Sequence, residues 1–528
     1  MKTAWIVILG TAAGLMTIGS AQAADLPVKA KPIEYVKVCS LYGAGFWYIP
    51  GTDTCMKIGG YLRVDTTFNG SIHGQPAWNG DLGQRNRYMD YFASRSRMAL
   101  QFDTRTATEY GVVRTFAQAD FQFSTQGSNT TNPVNFTGSP STGTNTSLLN
   151  NVGEGYVAIE YVFIQFAGFT FGKAASAYAT PWQGFPGNNS SFLMGGQNTD
   201  TGVNQIQYTA QFGNGVSASI GLDDPVVWDR TAVYNLSLPL NATLNTGNAY
   251  GGVHAPEVVG NIRIDQAWGL FQISGAAHEV SGSYNTLNAV SAPAGTVGIA
   301  GAAPNNLSEI SGHPDTKWGG AVMAALQIKN IPTGSGDDIK MDASWAKGAT
   351  KYVIATSSAS PSFAMFGGSS AAGAYQSIGF GATTDAVYLP VAAGGDGSLH
   401  LTEAWGFRGA FNHNWDPYWS TSLYGSYSQV KYDDTAKVFI CANYATPGKA
   451  VSADFVCNPN YNVSQLGVVT RWTPVKNLTF SADVQWFHLD QKFQGTALLT
   501  PTAPKPTARY EFKDQDTVHL QVRAQRNF

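Results

Sequence analysis

The sequence predicts an all-β protein whose sixteen antiparallel strands close into a membrane-spanning barrel. Three observations carry that expectation. The chain ends in alternation: Val518, Leu520, Val522 and Ala524 share the parity of Phe528, and only Arg526 breaks the row. His519, Gln521, Arg523, Gln525 and Asn527 take the other face. A period of two places these sets on opposite sides of a strand, and Val518 to Phe528 has the length of a tilted membrane strand, about 9–11 residues. Second, only 13% of the 528 residues are charged, while glycine (58) and aromatic residues (12%) are plentiful. Soluble proteins carry about 25% charge; strands with one face in lipid and one in water need less. Third, the connections between strands alternate between short and long, as they do when turns occupy one rim of a barrel and loops the other.

The amino terminus reads as an export signal. Lys2 precedes an apolar run from Ala4 to Ile18, and Ala21-Gln22-Ala23 forms a small-residue cleavage site between Ala23 and Ala24. The run is short for a membrane span. Export leaves either a soluble secreted protein or a β-barrel, since closed barrels also satisfy every backbone group in lipid. The expected organisation is a signal peptide over 1–23, a periplasmic segment with a disulfide hairpin over 24–56, and the barrel over 57–528. The four cysteines form two local pairs, Cys39–Cys55 and Cys441–Cys457, which an oxidising periplasm would link. Metal binding is the competing use, but no C-x-x-C spacing or adjacent histidine favours it. No cofactor is expected, and a formal charge of −3 is no nucleic-acid footprint.

The strands follow in order. Over 57–68, Ile58, Leu62, Val64 and Phe68 oppose Lys57, Tyr61, Arg63, Asp65 and Thr67. Over 94–104, Met98, Leu100 and Phe102 oppose Arg95, Arg97, Gln101 and Asp103. Over 111–124, Val113, Phe121 and Phe123 oppose Arg114, Gln118, Asp120 and Gln122. Softer alternation marks 153–167, 169–177, 203–212, 215–222, 258–265, 269–281, 317–329, 337–350, 403–413, 419–430, 462–472, 477–488 and 516–528. A soluble sandwich also alternates, so the connections help to separate the two. Short turns fall at 167–168, 213–215, 266–268, 331–336, 414–418 and 473–477. Between them lie Gly-, Ser-, Asn- and Thr-rich stretches such as 125–152, 223–257, 282–316 and 351–402, read as loops without regular structure. Trp268, Trp318, Trp345, Trp405, Trp415, Tyr418, Trp419, Trp472 and Trp486 sit near strand ends, where interfacial aromatic girdles belong.

The stretch Val36 to Arg63, VKVCSLYGAGFWYIPGTDTCMKIGGYLR, resembles the porins of alphaproteobacteria. So do the start Ala24-Asp25-Leu26-Pro27-Val28-Lys29, the Ser94-Arg95-Ser96-Arg97 run and the terminal Phe528. The resemblance implies a homotrimeric outer-membrane diffusion channel of a Gram-negative bacterium, seated among lipid and lipopolysaccharide. It implies that the third extracellular loop, here 177–202, folds inward with Trp182, Phe185, Phe192 and Asp200. It makes Phe528 a signal to the barrel assembly machinery. It also suggests attachment of Ala24-Asp25 to peptidoglycan.

Porins often set a basic wall against an acidic inward loop. The basic half is visible in Lys57, Arg63, Arg95, Arg97, Arg105 and Arg114, interspersed with Asp65, Asp103 and Asp120. The acidic half is nearly absent, because 177–202 holds one carboxylate, Asp200. Rings of arginine favour anions, so a weakly anion-preferring or near-neutral constriction is expected, unless pairing with Asp or Glu cancels the field. An enzyme is not expected: the chain has no H-E-x-x-H zinc site and no G-x-S-x-G elbow. A sugar- or anion-selective channel of the same fold, or an adhesive barrel, are the alternatives.

Overall fold

A computed structural model describes residues 37–76, 85–87, 91–124, 155–197, 201–226, 230–287, 309, 311–355, 362–445, 449–501 and 504–528. The signal segment, Ala23, Ala24, Asp25 and Asp200 lie outside these residues. Sixteen antiparallel strands form one closed barrel. They are β1 (Thr54–Phe68), β2 (Phe92–Thr108), β3 (Gly111–Ser124), β4 (Tyr156–Phe166), β5 (Phe169–Ala174) and β6 (Val203–Gly213). Next come β7 (Val216–Asp223), β8 (Glu257–Asp265), β9 (Gly269–Val280), β10 (Lys317–Lys329) and β11 (Asp338–Lys347). The last are β12 (Glu403–Asn414), β13 (Trp419–Lys431), β14 (Tyr461–Val475), β15 (Leu478–Gln491) and β16 (Gln515–Asn527).

Each strand pairs with the next, and β16 returns to β1 with Tyr61 opposite Asn527 and Phe68 opposite Leu520. Closure leaves no open edge, which is what makes strands viable in lipid. The Phe528 N–H extends the seam by donating to Gly60 O at 3.1 Å. Gly60 sits at φ +148°, and a Cβ there would fall 2.0 Å from Ala99 O, so the neighbouring strand passes where only glycine fits.

Burial is inverted as lipid demands. Ile58, Leu62, Val64 and Phe68 of β1, Ile206 and Tyr208 of β6, and Val518 and Val522 of β16 are exposed. Asp65, Thr67, Arg95 and Gln521 on inner faces are buried. Trp268, Trp415, Tyr418, Trp419 and Trp472 stand exposed at the short-turn rim, and Trp318 and Trp345 at the other; Trp419 and Trp472 stack at 5.9 Å. These are two aromatic belts.

The expected boundaries shift slightly. Strand β1 starts at Thr54, so Cys55 belongs to the barrel and the Cys39–Cys55 disulfide ties the preceding hairpin to it. Strands β5 and β11 stop at Ala174 and Lys347 rather than 177 and 350. Beyond them the chain leaves the ladder to pack inside and above the barrel.

The expectation of structureless loops is corrected where the residues are described; 125–152 and most of 282–316 lie outside them. Ser362–Gly367, Gln376–Ala382, Ala508–Phe512 and Thr496–Leu499 form a four-stranded sheet. Ala232–Asn235, Thr384–Tyr388 and Leu399–Leu401 form a three-stranded one. Helix α1 (Asp434–Tyr444) starts where the Asp433 carboxylate accepts from Ala436 N at 2.7 Å. It buries Ala436, Ile440 and Tyr444, a spacing of four that lines one face. Phe363, Phe380, Tyr444, Tyr461, Phe493 and Phe512 share a core with it. The Cys441–Cys457 disulfide fastens α1 to the chain that returns to β14. This cap escaped period-two reading because its strands are short and covered by protein on both faces.

Candidate functional site: the lumen and its inward loop

Residues 175–197, which follow β5, fold into the barrel. The first arm runs along the wall with every second carbonyl held by a wall amide. Gln205 Nε2 of β6 donates to Ala175 O at 2.8 Å, Asn261 Nδ2 of β8 to Ala177 O at 2.6 Å, and Gln272 Nε2 of β9 to Ala179 O at 2.8 Å. The loop then crosses to the far wall. Asn412 Nδ2 donates to Pro186 O at 3.1 Å, and the Asn189 N–H donates to Asp483 Oδ2 at 2.7 Å. Gln465 both accepts from the Met194 N–H at 2.8 Å and donates to Phe192 O at 3.1 Å.

Arg408 of β12 is the main anchor. Its Nε donates to Asp342 Oδ2 at 2.9 Å, Nη1 to Leu193 O at 2.9 Å and Nη2 to Gln197 O at 2.8 Å. The loop backbone reaches this wall only because Gly195 and Gly196 lack side chains. A Cβ on Gly195 (φ +116°) would lie 2.7 Å from Phe407 O, and one on Gly196 2.2 Å from Asp342 Oδ1. Trp182, Phe192, Leu193 and Met194 are buried, and the Phe185 ring lies 5.6 Å from the Arg408 guanidinium. Inward folding of the third loop is therefore present, and Trp182, Phe185 and Phe192 belong to it.

The early-strand charges are drawn into pairs. Arg95 donates from Nε to Asp65 at 2.8 Å with both side chains buried, and Arg523 of β16 reaches the other oxygen of Asp65 at 2.6 Å. Arg97 meets Asp120 at 2.6 Å and Glu160 at 3.9 Å. Arg105 and Arg114 converge on Asp103, each at 3.0 Å. Arg63 donates to Gln525 at 2.8 Å and lies over the Tyr61 ring, while Lys57 is exposed near Phe46. His73, from the first loop, reaches down to Arg95 at 2.7 Å. Burial and then the Arg95 charge hold its imidazole well below the ordinary histidine range, so it stays neutral.

The charged lumen residues read from sequence lie on the first three strands, so Asp342, Arg408, Asp483 and Arg471, whose Nη2 donates to Gly187 O of the loop at 2.5 Å, were missed. Arg408 was within reach: the alternation of β12 puts it on the inner face with Ala404, Gly406 and Ala410. Among the described residues, no group of three or more His, Cys, Asp or Glu is placed to hold a metal ion.

The loop thus lies over the wall of β11–β15 and leaves space beside β2–β9. A cavity of about 760 Å³ opens there between Trp182 and the wall. Its surface is mainly amide, hydroxyl and aromatic, including Gln101, Gln118, Gln165 and Gln207 with Phe116 and Phe163.

A family model described as the porin subfamily matches residues 25–521. The porin Omp2b of Brucella neotomae is 28% identical over 333 residues, covering 61% of this chain and 81% of that one. Omp2b of Brucella abortus (strain 2308) is 30% identical over 267 residues, covering 50% and 62%. Among solved structures, the outer-membrane channel DcaP of Acinetobacter baumannii aligns with a TM-score of 0.55 at 14% identity, over 91% of this chain and 99% of that one. That last likeness concerns the fold alone.

Proposed function

The chain belongs to the porin subfamily, and from that premise we propose that its lumen passes small hydrophilic solutes and ions by diffusion with little preference between anions and cations. The protein is an outer-membrane porin, a β-barrel channel of a Gram-negative bacterium. The observation that carries the selectivity reading is the pairing of Arg95, Arg97, Arg105 and Arg114 with Asp65, Asp120 and Asp103. Counting Arg523 on Asp65 and Glu160 near Arg97, five arginines face four carboxylates, so a small positive excess remains, whose field is weak beside that of a bare arginine ring, which would select anions. Reversal potentials in a salt gradient across a planar bilayer test it. A permeability ratio near one is expected; strong selectivity of either sign overturns it.

Three further readings rest on family membership. The barrel assembles as a homotrimer among outer-membrane lipid and lipopolysaccharide, which three equal conductance steps would reveal. Phe528 serves recognition by the assembly machinery, so its deletion should lower outer-membrane yield. Ala24-Asp25 tethers the chain to peptidoglycan; recovery of only free Ala24 termini from digested cell wall would reject this. A channel needs no catalytic residues, and we assign none; ester hydrolysis by the purified protein would revise that.

A further inference from the structure

We infer that the cavity between the first arm of the inward loop and the neutral wall is a subsite for uncharged hydroxylated solutes, sugars and polyols with one apolar face. The inference rests on the channel reading and names the solute class that the channel favours. Three independent features of the cavity point the same way.

The first is charge. The charged side chains lining it are Arg263 and Asp265, joined to each other at 3.1 Å. Asp265 also takes Lys329 at 2.8 Å. At the aromatic side, Arg114 donates to the lining Gln165 at 3.0 Å and lies 5.2 and 5.4 Å from the Phe116 and Phe163 rings, but it is held by Asp103 at 3.0 Å, so each charge at the cavity already has a partner.

The second is hydrogen-bond polarity. The amide nitrogens of Gln205, Asn261 and Gln272 are committed to the carbonyls of Ala175, Ala177 and Ala179. A carbonyl only accepts, so the orientation of each amide is fixed by its partner, and each amide oxygen remains as an acceptor. Among the described residues Gln205 Oε1 is buried with no hydrogen-bond partner, and so is Gln207 Oε1. Buried acceptors left unpaired cost free energy until a donor arrives. Hydroxyl groups donate; carboxylate and phosphate oxygens only accept.

The third is the aromatic surface. Phe116 and Phe163 stack at 5.3 Å, and Tyr161 meets Phe116 edge-on at 6.3 Å. Trp182 lines the same cavity from the loop side. A sugar ring presents C–H groups on one face and hydroxyls at its rim, so it uses flat apolar surface and acceptors together. The volume of about 760 Å³ is within the ~300–1,000 Å³ of pockets that enclose small molecules.

The test is current block of the purified, intact protein in planar bilayers containing KCl. Equal concentrations of maltotriose, glucuronate and glucosamine are the neutral, anionic and cationic probes. Saturable block by maltotriose alone is expected, with affinity lowered about 5–10-fold in Trp182→Ala, the loss of one aromatic contact. Gln207→Ala, which removes an acceptor without touching the loop, should weaken block as well and serves if Trp182→Ala fails to fold. Undiminished block in both variants overturns the subsite. So does glucuronate or glucosamine block as strong as that of maltotriose, or KCl conduction with no maltotriose block. A preparation that conducts no KCl overturns the channel reading itself, a distinct result.

Discussion

Arg408 and Asp342 form an ion pair at 2.9 Å whose side chains are both fully buried between the inward loop and the barrel wall. The same guanidinium holds the carbonyls of Leu193 and Gln197, so one residue neutralises a wall carboxylate and fastens the loop. A buried pair broken on one side typically costs about 3–5 kcal/mol, because the remaining charge is stranded. Arg408→Ala should lower the thermal stability of the folded barrel and give a larger, noisier single-channel conductance. Unchanged conductance and melting would show that the loop is held elsewhere.

Asp103 sits between Arg105 and Arg114. Asp103→Asn removes the carboxylate that both arginines face and should shift the reversal potential toward anion preference. A full charge about 4 Å from a passing ion in water is worth about 1 kcal/mol, so the permeability of each ion should change by up to about fivefold, upward for anions and downward for cations. Salt should shrink the effect as screening sets in.

Asp337 organises a short turn at the periplasmic rim. It accepts from Thr333 Oγ1 at 2.6 Å, from the Asn414 N–H at 2.8 Å and from His413 Nδ1 at 2.6 Å. Burial alone would raise its carboxyl, but these hydrogen bonds prevail and hold it down to about 2. A carboxyl depressed in the fold stabilises above its unfolded value of about 3.9 and loses that contribution as pH falls through the folded one. The turn should therefore stay intact at pH 4 and loosen toward pH 2. Asp337→Asn should loosen it at every pH; amide exchange at Asn414 is the measurement.

Cys441 and Cys457 close a loop with a sequence separation of 16, a constraint worth roughly 3 kcal/mol in the chain-entropy model. Cys441→Ser should make the extracellular cap sensitive to protease on intact cells. The barrel, whose ladder does not include α1, should remain resistant. Cleavage of neither would mean that the aromatic core alone holds the cap.

The strands were legible because lipid outside and polar lumen inside impose one rule on every one of them. Ile58 against Lys57, or Val518 against His519, states that rule locally. The inward loop was legible only through resemblance, although its Trp182, Phe192 and Met194 marked it as destined for burial. The cap was not legible: Thr383, Thr384 and Asp385 are polar yet buried, paired with partners such as Thr350 and Thr402 that lie elsewhere in the chain. The ion pairs of the lumen were half legible. Asp65 and Arg95 are direct cross-strand neighbours, which a hairpin register could have revealed. Arg408 with Leu193 depends on where the loop lands.

The seam between β1 and β16 sets a timetable. The partners that close it, such as Phe68 and Leu520, lie at opposite ends of the sequence. Native pairing along that edge of β1 must wait until the last strand is present, since no earlier segment holds that register. Contacts so distant along the chain form slowly, and an unpaired edge invites other strands meanwhile. Until residues 515–527 are in place, that edge of β1 therefore has no native partner.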